Sequence, residues 1–141
     1  MKSYCHSCAI ASGIVKPSIQ SNLSGTSYQL DKFLKHTAPA AAYWGINSVF
    51  DDPSFESYKN YIVTTQASGT AQIDDRGRIN MVWYAGSGIG AVHQGGEFKI
   101  SATAVKLVLP NDDSKVHAFP IKLSRALESS KCELCGASIP I

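Results

Sequence analysis

The four cysteines are the residues whose type and spacing could do chemistry in this chain. They stand as two C-x-x-C pairs near its opposite ends, Cys5-His6-Ser7-Cys8 and Cys132-Glu133-Leu134-Cys135. A thiolate is a soft anionic ligand, and two of them separated by two residues can reach one metal ion from a single tight turn. Two such turns fill the four tetrahedral positions of a structural Zn²⁺ site. Gly136, directly after the second pair, suits a turn of this kind because glycine adopts positive φ without steric cost. The pattern therefore predicts one Zn²⁺ held by Cys5, Cys8, Cys132 and Cys135. Four thiolates complete the shell, so neither His6 nor His36 is required as a ligand. A complete shell leaves no open position for Lewis-acid work, and the zinc is expected to be structural.

Paired cysteines serve two other chemistries. Disulfides need an oxidising compartment. Here Met1-Lys2-Ser3-Tyr4 runs into Cys5 without the apolar stretch of a secretory signal, and the expectation is a cytoplasmic protein with reduced thiols. A thioredoxin-like pair follows a strand and opens a helix. Cys5 reads as too close to the start for a strand to precede it, and Cys132 follows the polar run Glu128-Ser129-Ser130-Lys131. The two pairs resemble a zinc-ribbon or zinc-knuckle site interrupted by a large insert. A compact ribbon separates its pairs by roughly 15–20 residues, whereas here nearly the whole chain lies between them. The resemblance implies a metal site and no activity. By fold-level analogy it points toward binding of nucleic acid or of another protein.

Outside the cysteines the chemical signals are weaker. The segment from Gly86 to Gly96 is rich in glycine, but a dinucleotide fingerprint needs its glycines to open a helix within a βαβ unit, and no Gly-Lys-Ser/Thr is present. It reads as a loop between antiparallel strands, with His93 at its tip as the residue to test for any ligand. Asp51, Asp52 and Glu56 could gather around Mg²⁺, as in a nuclease. Beside Pro53, however, the aspartates read more readily as a solvated turn and a helix cap. His117, between Val116 and Ala118, reads as a strand residue pointing outward. A small hydrolase, nuclease-like or nucleotide-binding enzyme would have to draw on these groups.

Charge limits the partners. The 141 residues carry 13 basic and 11 acidic side chains, a net +2, far from a strongly basic nucleic-acid binder. Lys32, Lys35 and His36 share the polar side of a first helix, with Lys59 not far along. Lys115, Lys122, Arg125 and Lys131 gather before the second pair, and Lys2 precedes the first. If a metal joins the ends, Lys2 and Lys131 flank it, and such a face could touch phosphates. Tyr4, Tyr43 or Trp44 could add stacking. No apolar run approaches the roughly 20 residues of a transmembrane helix. The expectation is a zinc-stapled binding module for nucleic acid or a protein partner. The alternatives are the small enzyme above, or a structural accessory protein.

These residues must be positioned by a fold. The length suits a single domain over 1–141 with its own core. Thr26 and Gln29 form a capping box, and Leu30, Phe33 and Leu34 make an apolar stripe, so a helix is expected over 26–37, closed by Pro39. Residues 40–50 read as a strand or buried turn. Pro53 opens a short helix with Phe55, Tyr58 and Ile62 inward, and the β-branched run at 61–65 reads as a strand. Strands over 70–73 and 78–84 form a hairpin around Asp74-Asp75-Arg76-Gly77, the second of them central because both its faces are apolar. Further strands are expected over 98–102, 105–109 and, at an edge, 116–119, with a last helix over 121–129. The sum is an α+β fold: a mostly antiparallel sheet of about five strands, two or three helices, and N- and C-terminal knuckles joined by one zinc.

Overall fold

The hairpin turn at Asp74 shows how local chemistry starts the sheet. In the computed structural model the Asp74 Oδ1 accepts from the backbone amides of Arg76 and Arg78, both at 2.9 Å. Gly77 donates its amide to the Asp74 carbonyl at 3.0 Å and takes φ +78°, the left-handed conformation that glycine adopts without strain. Two strands leave this turn in register, β3 (Thr70–Ile73) and β4 (Ile79–Tyr84), with Thr70 opposite Val82 and Ile73 opposite Ile79. The structure describes residues 2–15, 36, 48–52, 54–86, 89–94, 97–109, 116–122 and 131–139.

Around that hairpin the described residues form an α+β architecture. Before the hairpin come β1 (Lys2–Tyr4), α1 (His6–Ala11), β2 (Val49–Phe50) and α2 (Phe55–Ser68). After it come β5 (Gly90–Gln94), β6 (Glu97–Ser101), β7 (Ala104–Val108) and β8 (His117–Ile121). One sheet has five strands in the order β1-β3-β4-β7-β8, every neighbouring pair antiparallel. β4 lies at its centre, as apolar residues on both faces require. The edge strand expected at 116–119 is β8, with Pro120 on the edge where a missing amide costs least. A second sheet joins β2, β5 and β6.

The structure corrects several expectations. The run at 61–65 is not a strand but the middle of α2. Ser54 caps that helix, accepting from the Ser57 amide at 3.2 Å, and Asp52 reinforces the cap by accepting from the Ser54 amide at 2.9 Å. Tyr58, Ile62, Thr65 and Gln66 then recur at helical spacing and are buried against β4, β7 and β8. The hydroxyls that would favour other backbone states are absorbed: Thr65 Oγ1 donates to the Tyr61 carbonyl at 2.7 Å and Ser68 Oγ to that of Thr64 at 2.9 Å. Cap and burial together outweigh β-branched propensity, which spans only about 1 kcal/mol.

The second correction concerns 86–96, which holds β5 instead of forming a connecting loop throughout. Val49 pairs with Ala91 and Phe50 with Gly90, and a bulge between Val92 and His93 shifts the register with β6. Gly90 serves close backbone approach here, since a Cβ at this position would press into the Val49 carbonyl oxygen.

The core joins Phe50, Tyr58, Ile62, Met81, Val105, Leu107 and Ala118. The Phe50 ring stacks on Tyr61 at 4.8 Å and meets Tyr58 edge-on at 6.2 Å. The Tyr58 hydroxyl accepts the Ala118 amide at 3.1 Å, fastening α2 to β8. Gln66 is buried with neither carboxamide atom hydrogen-bonded, a local cost accepted on the helix's packed stripe.

His36 does not share a polar helix face. It is buried, stacks on Phe119 at 5.3 Å and donates from Nδ1 to the Ser48 carbonyl at 2.7 Å. The rest of the helix expected over 26–37, residues 40–47 and the last helix beyond Lys122 lie outside the described residues, as do Lys32, Lys35, Lys115, Arg125, Tyr43 and Trp44. Ile121 belongs to β8.

Gly90→Ala should lower stability by about 1–3 kcal/mol, because the obstacle is backbone of β2 rather than a side chain that can turn aside. Chemical denaturation checks this, and unchanged stability would contradict the packing of β5 on β2. A second prediction concerns pH. Hydrogen bonds from the Arg78 and Arg76 amides hold the Asp74 carboxyl below its ordinary 3.8. A depressed carboxylate stabilises the fold above its unfolded pKa and loses that contribution as pH falls through its folded value. The stability gap between wild type and Asp74→Asn should therefore be full at neutral pH and close progressively in acid, read by thermal melts across pH.

Candidate metal centre

The first knuckle is placed by backbone pairing. Lys2 sits opposite Ile73 and Tyr4 opposite Ala71, so β1 forms the sheet edge beside β3. Tyr4 is buried there, which removes it from the exposed aromatics expected to stack on a ligand. Cys5 follows immediately as the N-cap of α1, and Cys8 lies within that helix. A strand therefore does precede Cys5 and a helix does follow it, contrary to the sequence reading. Three residues suffice for this strand because β3 supplies its ladder. Ala9 is fully buried, and the Nδ1 of His6 donates to the Gly69 carbonyl at 3.1 Å, seating α1 against the end of α2. His6 is thus a positioning contact between helices and no part of the thiol group.

The second knuckle is a small hairpin of its own. Lys131 bridges to Ser138, the Cys132 amide donates to the Ala137 carbonyl at 2.9 Å, and the Gly136 amide donates to the Cys132 carbonyl at 2.9 Å. Gly136 takes φ +73°, the positive value its place after the cysteine pair predicted. Among the described residues one backbone hydrogen bond carries this hairpin onto the sheet: the Glu133 amide donates to the Ser3 carbonyl at 3.0 Å, on the edge of β1 facing away from β3. Cys132 and Ile139 are buried beneath it, while residues 133–138 are exposed.

The two knuckles bring together the four predicted ligands. All four Sγ atoms lie within 4.8 Å of one another, and Cys5 and Cys135 Sγ are 3.8 Å apart. Thiolates bound tetrahedrally to one ion at roughly 2.3 Å would stand about 3.8 Å apart. All four cysteines are free thiols. This arrangement could hold one metal ion, and among the described residues no other group of three or more such side chains does.

The electrostatics of the cluster are uneven. Backbone amides of Cys135, Cys5 and Leu134 point at the Cys132 sulfur and lower its pKa to about 6, against the opposing effect of burial. Hydrogen bonds with the thiols of Cys5, Cys135 and Cys132 push Cys8 up to about 12. Without a cation, Cys132 carries charge readily while Cys8 holds its proton. A divalent ion removes that conflict, since it favours thiolate on every ligand at once.

Among the described residues, Asp51, Asp52 and Glu56 do not assemble a second centre. Asp52 is spent on the cap, its carboxylate accepting from the Ser57 hydroxyl at 2.6 Å, and that bond first and the Ser54 amide next hold its pKa down. Glu56 lies 3.6 Å from Lys59 Nζ, which also sits 5.5 Å above the Phe55 ring. His93 lies in β5 opposite Phe98, and His117 in β8 with its ring 6.2 Å from Phe119. One feature had no sequence signal: an open cavity of about 320 Å³ lined by Lys2, Tyr4, Ile73, Asp74 and Asp75, created where β1 meets the end of β3. The docking carbonyl of Ser3 was equally silent, because a backbone acceptor leaves no trace in residue type. Among the described residues no helix is long and apolar enough to cross a membrane. No protein-family model, curated protein or solved structure matches this chain, so its functional reading rests on the convergence of the four thiols.

Proposed function

We propose that this protein is a zinc-stapled binding module, in which a structural Zn²⁺ on Cys5, Cys8, Cys132 and Cys135 fastens the C-terminal knuckle to the first strand. The observation that carries this reading is the convergence of four free thiols from opposite ends of the chain to within 4.8 Å. An all-sulfur tetrahedral set suits Zn²⁺, whereas Mg²⁺ and Ca²⁺ take oxygen ligands. Four protein ligands leave the ion no vacant position, so its role is to hold the ends and not to activate water. Reduced thiols suit a cytoplasmic setting.

The proposed ligand is nucleic acid, bound over the face that carries the metal. Lys2 and Lys131 support this reading: both are exposed, and each lies within three residues of a ligand cysteine. Their ammonium groups can meet phosphates without reading sequence. One observation favours a protein partner instead, the side chain of Leu134, 58 % exposed at the tip of the second knuckle. The enzyme alternative around His93 has less behind it, because Asp52 and Glu56 are occupied as a cap and an ion pair.

Metal analysis of the purified protein should return about one zinc per chain. Cys132→Ser should lose that zinc and about 3–5 kcal/mol of stability, since metal binding energy here is folding energy. A full-stability, zinc-free wild type would refute the staple. Fluorescence anisotropy with a labelled oligonucleotide should show affinity falling with salt, and Lys131→Ala should reduce the slope of log K against log salt by about one. Zinc-loaded protein that ignores oligonucleotides at low salt would redirect the reading to a protein partner.

A further inference from the structure

The four sulfurs are not equally sheltered, and the difference gives the site a second chemistry. Cys132 is 3 % exposed, Cys5 and Cys8 are half-buried, and Cys135 is exposed together with its neighbours on both sides. Among the described residues, the most accessible sulfur thus belongs to the knuckle with fewer anchors on the rest of the fold. Its Sγ stands 3.8 Å from that of Cys5, which belongs to the other knuckle. A zinc-bound thiolate keeps a nucleophilic lone pair, and an oxidant reaching this cluster from solvent meets Cys135 first.

We propose that Cys135 is an oxidation site for small hydroperoxides and that Cys5 resolves it, exchanging the metal staple for a disulfide between the two ends. This rests on the zinc reading above. The Cys135 thiolate attacks one peroxide oxygen, the O–O bond breaks, and a sulfenic acid forms at Cys135 while hydroxide (or alkoxide) leaves. The Cys5 thiolate then attacks the Cys135 sulfur and expels a second hydroxide, and buffer acid supplies the two protons that convert the leaving groups to water (or to water and an alcohol). Two thiolates have lost two electrons to one peroxide, which is reduced to two waters, or to water and an alcohol. With two of its four ligands converted, Zn²⁺ leaves.

The pairing decides the outcome for the fold. A bridge within either C-x-x-C would release the C-terminal knuckle from β1 when the metal goes. A Cys5–Cys135 bridge keeps the ends joined and leaves Cys8 and Cys132 as free thiols. The oxidised chain remains closed in a covalent form, and reductant with zinc restores the metal form.

The test uses the zinc-loaded full chain. Hydrogen peroxide is added in steps, released zinc is followed with a chromophoric chelator, and the products are digested without reduction for peptide mapping. The expected result is release of about one zinc per peroxide consumed, with a Cys5–Cys135 linkage as the main disulfide. The oxidised protein should also melt above a sample stripped by chelator under reducing conditions. Zinc retained under excess peroxide would overturn the proposal while leaving the staple intact. Release accompanied by Cys5–Cys8 or Cys132–Cys135 bridges, or by no disulfide, would overturn the assignment. Protein that never carries zinc would remove both readings, so the two failures are distinguishable.

Discussion

Pairing of Lys2, Ser3 and Tyr4 with β3 is the constraint on which the cysteine cluster depends. A three-residue edge strand has little hold of its own. Here its inner side takes the ladder of β3, and on its outer side the Ser3 carbonyl receives the Glu133 amide at 3.0 Å. That carbonyl is the docking point for the second knuckle. If β1 slipped by one residue, Tyr4 would leave the core face and Cys5 would no longer enter α1 where it does. The burial of Tyr4 therefore fixes the position of Cys5, a member of the thiol cluster, one residue away. An exposed sheet edge is normally a liability, and the knuckle covers part of this one.

Behind β1 the order of dependence runs inward. β3 owes its register to the Asp74 turn, and β4 buries Met81 and Val82 on opposite sides of the sheet. α2 spans β4, β7 and β8 and ends at Gly69, where a Cβ would press into the Thr65 carbonyl. The carbonyl of Gly69 accepts from His6 and so seats α1, which carries Cys8. The first pair is thus held from two directions, by the sheet through Tyr4 and by α2 through His6. Among the described residues the second pair has no such support. Its hairpin is fastened by Cys132, Ile139 and the Glu133 amide, and residues 133–138 face solvent.

Legibility in the sequence followed the range of the forces involved. The clustering of the four cysteines was readable because metal chemistry restricts both residue type and spacing, whatever lies between the pairs. The Asp74 hairpin was readable because an aspartate cap and a left-handed glycine act within four residues. The α2 helix was misread at 61–65 because β-branched side chains state a local preference that burial of Tyr58, Ile62 and Thr65 overrides. β5 was hidden by its glycines, whose value at Gly90 is the absence of a side chain against a strand some forty residues earlier, a non-local fact. His36 looked like a surface cation for the same reason. Its neighbours Phe119 and Ser48 become visible only once β8 is in place.

A staple between the ends acts mainly on the unfolded chain. Closing a loop on the order of 100 residues removes about 4.7 kcal/mol of unfolded-state entropy, close to the lower limit of a typical domain's stability of 5–15 kcal/mol. The convergence of the thiols matters as much, since a staple stabilises only to the extent that the native fold already places its ends together. Here it does: Ser3 and Glu133 are hydrogen-bonded by their backbones independently of any sulfur. Loss of the cross-link then has two costs of different reach. Locally the exposed hairpin detaches first, because among the described residues its remaining hold is one backbone bond and two buried side chains. Globally the unfolded chain regains its freedom, and the sheet must bear the difference from its own core.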